Sequence, residues 1–477
     1  MTSRQSFFFD AAACSGCKAC QVACKDRHGL EVGRLWRRVS EVTGGGWEKN
    51  GAAWRNNIFA YHLSISCNHC DRPICLEGCP ARAITRREDG IVLINPGHCL
   101  GCGYCSWVCP YSAPQYQPDR GVMTKCNLCA EDLDAGCQPA CVAACPVRAL
   151  DAGPLADLAG RYELNEEPAH TPPLPRAHLT EPSLLMAPHA DAHRSSEPDV
   201  VLTPRPARGL REISLVVFTL LSQMAAGLAL AGGGIRLWLG PQSAPVDAIL
   251  WPLISSLIAL AMGFSTLHLG QPRNAARSLM NLRTSWLSRE ILLASVFLGC
   301  ALLAWWGLWP DWFSTAVGWL TVPLALAYLW GMGGVYRQRT VPVWNQLRTP
   351  AAFLVSALAL GGLGLNAVVW SFARMEADVT SKASIGILLL SVGLVGLPWR
   401  LWQMYQTDKS NPPAWPNFLG SVGNALGLGL LALLLTKPEL MTGPLPVLMS
   451  WGLLLLVGAD QVVQRRRYYG GYERLGV

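Results

Sequence analysis

The C-terminal part of this 477-residue chain has almost no histidine or cysteine. Downstream of residue 210 it holds one of each, His268 and Cys300. Haem iron needs axial ligands such as histidine, and membrane anchors of the b type need pairs of them inside helices. With one histidine there and no CxxCH run anywhere, no haem is expected. Acidic residues within the apolar stretches are also scarce, which counts against redox-driven ion translocation. The opening Met1-Thr2-Ser3-Arg4-Gln5-Ser6 and the apolar run Phe7 to Phe9 end at Asp10, too short for the core of an export signal. That opening carries no twin arginine. The formal charge is a modest +7, and no basic stripe interleaves with aromatics, so no nucleic-acid partner is expected.

What the chain has in abundance is cysteine at its N-terminal end. Sixteen of its 18 cysteines form four quartets within the first 145 residues. Cys14, Cys17, Cys20, Cys24 and Cys99, Cys102, Cys105, Cys109 both read C-x2-C-x2-C-x3-C. Cys67, Cys70, Cys75, Cys79 is C-x2-C-x4-C-x3-C, and Cys126, Cys129, Cys141, Cys145 is C-x2-C-x11-C-x3-C. Three closing cysteines precede proline, at Pro80, Pro110 and Pro146. A short loop can point three thiolates at one iron–sulfur cubane, while the fourth thiolate reaches the neighbouring cluster in two-cluster ferredoxins. A disulfide framework would need an oxidising compartment. Zinc sites are laid out as paired CxxC knuckles, which the three-thiol runs are not. Cys137 fits no ligand spacing and reads as a plain thiol, and Cys300 as a packing residue. Lys18, Lys25, Arg82, Lys125 and Arg148 lie beside quartet cysteines, where they could offset cluster charge or simply be solvated surface.

Composition divides the chain into four parts. Residues 1–155 read as an α+β domain of two bacterial-ferredoxin-like modules. Strands are expected at Ser6 to Asp10 and Ile58 to Ser66. Hairpins are expected over Ala83 to Asn95 and Pro114 to Lys125, and helical turns after Cys20 and Cys105. Residues 156–209, rich in proline and without apolar periodicity, read as an extended linker. Its His170, His178, His189 and His193 set no metal geometry. Residues 210–468 read as an all-α membrane domain of eight transmembrane helices, near 213–236, 246–269, 288–309, 313–336, 351–372, 384–404, 417–436 and 444–464. A short tail, 469–477, follows.

The loop charges give an orientation. Arg205, Arg208, Arg211, Arg273, Arg277, Arg283, Arg337, Arg339, Arg348, Lys409, Arg465, Arg466, Arg467 and Arg474 all belong to one side, against Arg374, Lys382 and Lys437 on the other. The positive-inside rule then puts the ferredoxin-like domain on the cytoplasmic side of a bacterial inner membrane. On that same side His268 ends the second span, Glu290 begins the third and Arg273 lies between them. These three are the candidates for binding a quinone, whose reaction moves protons as well as electrons. Asp460, in the last span, could face a polar interior.

Cys14-Ser15-Gly16-Cys17-Lys18-Ala19-Cys20, Ser66-Cys67-Asn68-His69-Cys70 and Gln138-Pro139-Ala140-Cys141-Val142-Ala143-Ala144-Cys145-Pro146 closely resemble the four-cluster electron-transfer subunit of dimethyl sulfoxide reductase and related molybdopterin enzymes. His268-Leu269-Gly270-Gln271-Pro272 and Ser285-Trp286-Leu287-Ser288-Arg289-Glu290 resemble the eight-helix anchor subunit of the same enzymes. The resemblance implies two normally separate subunits fused in one chain, with electrons passing between a catalytic partner and the quinone pool. It also implies the ligand sets of four [4Fe-4S] clusters. These are Cys14, Cys17, Cys20 with Cys145; Cys126, Cys129, Cys141 with Cys24; Cys67, Cys70, Cys75 with Cys109; and Cys99, Cys102, Cys105 with Cys79. Some relatives hold a three-iron cluster with tryptophan at the position of Cys102, so cysteine there implies four irons. No molybdenum-cofactor domain fits in the remaining length, so a Mo-bis(pyranopterin) catalytic subunit is expected as a separate partner, with membrane lipid and quinone as the other partners. The best-known dimethyl sulfoxide reductases face away from the cytoplasm. The opposite orientation expected here resembles membrane-bound sulfite dehydrogenase, which passes electrons into quinone. Iron and sulfide analysis of anaerobically purified protein should return about sixteen of each per chain; bound zinc instead would overturn the cluster reading.

Overall fold

Three consecutive phenylalanines open the fold. The computed structural model describes residues 4–165, 173–196, 201–202, 211–306, 310–342, 344–372, 377–388, 416–437 and 444–470. In it Phe7, Phe8 and Phe9 lie on strand β1 (Gln5–Asp10), all but fully buried. Successive strand side chains face opposite ways. Phe7 and Phe9 therefore enter the main core of the cysteine-rich half, while Phe8 packs with Leu158 and Leu185 behind it. A strand buried on both faces belongs mid-sheet. β10 (Leu150–Pro154) pairs with β1 antiparallel, and β11 (Leu184–Ala187) pairs with it in parallel.

A second sheet sets β2 (Arg38–Gly44) between β5 (Phe59–Ile65) and the short β12 (Val201–Leu202). Between β2 and β5 the chain projects an exposed hairpin, β3 (Trp47–Asn50) and β4 (Ala53–Asn56). Two further hairpins, β6 (Ile84–Arg86) with β7 (Val92–Ile94) and β8 (Gln115–Gln117) with β9 (Val122–Thr124), form where turn residues are expected. Short helices follow the cysteine loops: α1 (Ala19–Arg27), α2 (Ile74–Gly78), α3 (Tyr104–Val108), α4 (Ala130–Asp134) and α5 (Ala140–Ala143). α6 (Leu155–Arg161) lies behind β1, with Leu158 in the small core that Phe8 enters.

The proline-rich stretch departs from a plain extended linker. Residues 173–196 lie against the domain, with Leu174, Leu184, Leu185 and Met186 buried. Asp71 N donates to Glu181 O at 2.7 Å, and Ser183 N to Asn68 O at 2.8 Å. Proline removes helix but tolerates extended pairing at a sheet edge, so a few leucines suffice to dock the segment. His170 falls outside the described residues. His178, His189 and His193 do not converge; His189 stacks on Tyr61.

In the membrane half the described residues form eight helices: α7 (Arg211–Leu239), α8 (Ala244–Leu267), α9 (Trp286–Trp305), α10 (Asp311–Tyr336), α11 (Arg348–Phe372), α12 (Ala377–Leu388), α13 (Pro416–Thr436) and α14 (Leu445–Gly470). Six of them, α7 to α11 and α14, are long and apolar enough to cross a membrane. Most of the expected sixth span, 384–404, falls outside the described residues, and α13 adds a shorter apolar stretch, Ala425–Thr436.

Lipid removes most of the hydrophobic reason for helices to associate, so close backbone approach and polar contacts decide. Gly227 of α7 lies against Ala357 and Gly361 of α11, where a methyl group on either glycine would overlap the facing backbone. Tyr328 donates to Ser222 at 2.8 Å, and Asn366 to Ser450 at 2.8 Å. At the far ends of α7 and α8, Arg236 pairs with Asp247 at 2.7 Å and stacks over Trp251. Gly361→Leu should force α7 and α11 apart. Size-exclusion chromatography in mild detergent should then show loss of the monodisperse protein; an unchanged profile would discount this crossing.

Candidate metal centres and the membrane interface

The opening C-x2-C loop of each quartet bends the same way. The residue before the second cysteine has a left-handed backbone in all four: Gly16 (φ 69°), His69 (φ 41°), Gly101 (φ 68°) and Leu128 (φ 57°). Two residues after each proline that follows a closing cysteine the pattern recurs, at Arg82 (φ 49°), Ser112 (φ 51°) and Arg148 (φ 54°). Non-glycine residues pay about 1–2 kcal/mol for that conformation. Its repetition means that surrounding contacts impose it, and the result is a set of sulfurs turned inward.

The thiols gather in fours, each time from two separate loops. Cys14, Cys17, Cys20 and Cys145 line a cavity of about 290 Å³. Cys67, Cys70, Cys75 and Cys109 line one of about 380 Å³, and Cys79, Cys99, Cys102 and Cys105 one of about 340 Å³. Cys24, Cys126, Cys129 and Cys141 lie near enough to feel one another's charge. Among the described residues no three His, Cys, Asp or Glu side chains close on a point that a lone ion could occupy. Four thiols on the wall of each cavity fit a polynuclear iron–sulfur group.

Charge contacts between sets give their order. Cys20 of the first set feels Cys141, Cys126 feels Cys67, and Cys105 of the last set feels Cys75. The sequence of sites is therefore the Cys14 set, the Cys126 set, the Cys67 set and the Cys99 set. Two buried cations sit among them. Lys125 donates to Val92 O and to Cys126 O (3.1 Å). Burial alone would push its ammonium pKa down, but the charges of Cys67, Cys75 and Cys126 hold it above the ordinary value. Arg37 donates to Ser64 O (3.1 Å) and Ser66 Oγ (3.1 Å) and is likewise held charged, against burial, by Cys141, Cys126 and Cys20. Of the five cations that the sequence singles out, Lys125 is buried, Lys25 half-buried, and Lys18, Arg82 and Arg148 exposed. Arg37 carried no cysteine-adjacent signal. Nor did Thr180, which comes from the expected linker yet lines the Cys67 cavity.

The sulfurs also accept hydrogen bonds. Ala83 N donates to Cys79 Sγ at 3.3 Å, and Gly101 N and Met123 N to Cys99 Sγ at 3.3 and 3.4 Å. Such donors tune a cluster's potential. Cys137 is exposed and lines none of these cavities.

The Cys99 set faces the membrane helices. The segment from α8 to α9 rests on it, with the backbones of Gly101, Gly121 and Gly270 in direct contact, leaving no room for a side chain. Gln271 N donates to Leu100 O at 3.0 Å, and Ser285 Oγ to Gly78 O at 2.9 Å. From the other side Tyr104 enters the helical core. Its hydroxyl donates to Val335 O (2.9 Å) and accepts from Gln338 Nε2 (2.6 Å), while Thr340 donates to Val108 O (2.7 Å).

The three candidate quinone-site residues are spread along this face. His268 caps the end of α8, half-buried; Arg273 is exposed on the following turn. Glu290 is 2% exposed, and among the described residues its Oε1 has no hydrogen-bond partner. It instead acts electrostatically on Tyr104, Tyr328, Tyr336 and Tyr469. Tyr336 and Tyr469 meet hydroxyl to hydroxyl at 2.6 Å. Asp460 is buried and accepts from Gln464 at 2.6 Å. Tyr336 and Tyr469 lacked a sequence signal because aromatic residues at span ends read as interfacial anchors.

Comparison with known proteins agrees with both halves. Residues 58–155 match the family model of the 4Fe-4S dicluster domain, and residues 207–470 match that of the DMSO reductase anchor subunit (DmsC). The B subunit of the anaerobic dimethyl sulfoxide reductase of Escherichia coli is 44% identical over 197 residues, covering 41% of this protein and 95% of that one. YnfG of the same organism, a probable anaerobic dimethyl sulfoxide reductase subunit, gives the same figures. The thiosulfate reductase electron transfer subunit PhsB of Salmonella typhi is 38% identical over 156 residues, 32% of this protein and 78% of that one.

Metal-free Cys24 and Cys102 should hold their protons. Burial, reinforced by neighbouring sulfurs, pushes Cys24 and Cys102 up to about 12. Loading iron must displace those protons. Anaerobic reconstitution should therefore release protons across neutral pH and give an apparent iron affinity that rises with pH; affinity independent of pH would contradict thiol ligation.

Proposed function

The chain belongs to the dimethyl sulfoxide reductase family, joining an iron–sulfur subunit and an anchor subunit in one polypeptide, and from that premise we propose that it conducts electrons between a molybdopterin catalytic partner and membrane quinone. The ligand sets are the four groups of thiols that the fold brings together: Cys14, Cys17, Cys20, Cys145; Cys24, Cys126, Cys129, Cys141; Cys67, Cys70, Cys75, Cys109; and Cys79, Cys99, Cys102, Cys105. Each set would hold one [4Fe-4S] cluster, which supplies one-electron transfer when bound. The single observation that carries this reading is the seating of the Cys99 set directly against the α8–α9 segment, which ends in His268 and Glu290. The set at the other end of the series, Cys14 with Cys145, then faces the catalytic partner.

The quinone reaction moves protons as well as electrons, so its pocket needs groups that hold or release a proton. Glu290 offers a buried carboxyl oxygen with no hydrogen-bond partner among the described residues, His268 an imidazole at the end of α8, and Arg273 a cation for a developing oxyanion. Ionisable groups at this depth are rarely structural alone. The arginines that crowd the same face support a cytoplasmic orientation. That orientation favours a sulfite dehydrogenase-like module that reduces quinone over one that oxidises quinol to reduce an S-oxide.

Glu290→Gln and His268→Ala should abolish quinone-linked turnover by 100-fold or more, on the scale of a lost proton-transfer group, roughly 10²–10⁴. Arg273→Gln should raise the KM for quinone. Dye-linked activity of the partner should survive in all three. Unchanged quinone kinetics in the Glu290 and His268 variants would remove these assignments.

A further inference from the structure

Two asparagines between α8 and α9 make the same contact twice. Asn274 Nδ2 donates to the carbonyls of Gly97 (3.1 Å) and Cys99 (3.0 Å). Asn281 Nδ2 donates to the carbonyls of Glu77 (3.1 Å) and Cys79 (2.9 Å). Each carboxamide thus bridges a cysteine carbonyl and the carbonyl two residues before it. The two cysteines come from different quartets, yet they line one cavity. Asn281 is 5% exposed, and Thr284 braces it by donating to its Oδ1 at 2.9 Å.

The contacts answer a physical need. Glu77, Gly78 and Cys79 end α2, where carbonyls lack intrahelical partners. Asn281 and Ser285 supply donors. The peptides concerned lead straight to sulfur. Cys79 Sγ accepts from Ala83 N, and Cys99 Sγ from Gly101 N and Met123 N. Moving either cysteine's backbone would change these N–H···S distances, and with them the balance between oxidised and reduced states.

We propose that Asn274 and Asn281 are positioning residues that tie the quinone-facing segment to the terminal iron–sulfur site, setting its reduction potential and making it respond to quinone occupancy. The inference rests on the quinone-site reading above. His268 and Arg273 share one short segment with Asn274, so a ligand that fixes either residue acts on the Cys99 backbone through Asn274. Coupling of this kind is reciprocal: the ligand shifts the centre's potential by the same factor as reduction shifts the ligand's affinity.

The test is an EPR-monitored redox titration of the full chain with its catalytic partner in membranes. It is run with and without an alkyl-hydroxyquinoline N-oxide, a redox-inert quinol mimic. In the wild type one of the centres should change potential or line shape on addition of the mimic. In Asn274→Ala/Asn281→Ala that response should vanish, and the centre's reduction equilibrium should shift by about tenfold, or 59 mV for a one-electron couple. The other three centres should stay in place. If the double variant does not assemble, Asn274→Leu and Asn281→Leu remove the donor at nearly constant size without adding charge and should give the same result singly. A wild type that responds and variants that respond equally, at unshifted potential, would overturn the clamp alone. A wild type in which no centre responds would overturn the quinone-site reading, and the clamp with it.

Discussion

Everything in the cysteine-rich half follows from one constraint: four sulfurs around each cavity must arrive from two loops far apart in sequence. Cys145 closes the cavity begun by Cys14, and Cys109 the one begun by Cys67. The chain must therefore double back on itself, and the sheets exist to make it do so. β1 brings the first loop beside β10, which follows Cys145 directly, with Phe9 opposite Leu150 in register. The apolar core is not separate from the metal sites. Phe7, Phe9, Leu63 and Ile65 share one buried cluster with Cys20, Cys24, Cys67, Cys126, Cys141 and Cys145. Excluding water from the sulfurs and stabilising the fold are the same act of burial.

The second half meets the first through apolar packing around Tyr104 and Val108 and through polar atoms. Asn274, Asn281, Ser285 and Gln271 all address backbone carbonyls of the cysteine loops, and Tyr104 reaches back into the helices. The three glycines at 101, 121 and 270 let two backbones touch. This combination of hydrogen bonds and close approach fixes the distance between the last thiol set and the membrane face. Electron exchange across a protein boundary depends most on that distance.

Much of this was legible in the sequence, for reasons that differ from part to part. Cysteine spacing is dictated by ligand geometry, so Cys14 to Cys24 announces its loop without any fold. Hairpins at Glu88-Asp89-Gly90 and Asp119-Arg120-Gly121 were readable because turn residues act locally. Long apolar runs such as Ile213–Leu239 report their environment directly. What sequence could not give depends on tertiary neighbours. Arg37 lies among sulfurs only because β2 crosses the second sheet, and Thr180 reaches the Cys67 cavity only because β11 docks on β1. Proline and alanine content made 173–196 look like spacer, while four buried aliphatic side chains were enough to seat it. Asn274 and Asn281 are ordinary as letters; their meaning lies in which carbonyls face them.

Apart from Tyr104, Val108 and the glycines at 101 and 121, whose identity matters, the anchor half holds its neighbour by main-chain oxygens, and at those points it takes no account of which side chains the residues carry. Glu77, Gly97 and Leu100 present the same C=O whatever their identity. The sulfur-rich module can therefore vary its surface to suit different catalytic subunits without loosening its seat on the membrane. Such a division lets one anchor serve enzymes of different substrate, provided each keeps the same backbone path through its cysteine loops.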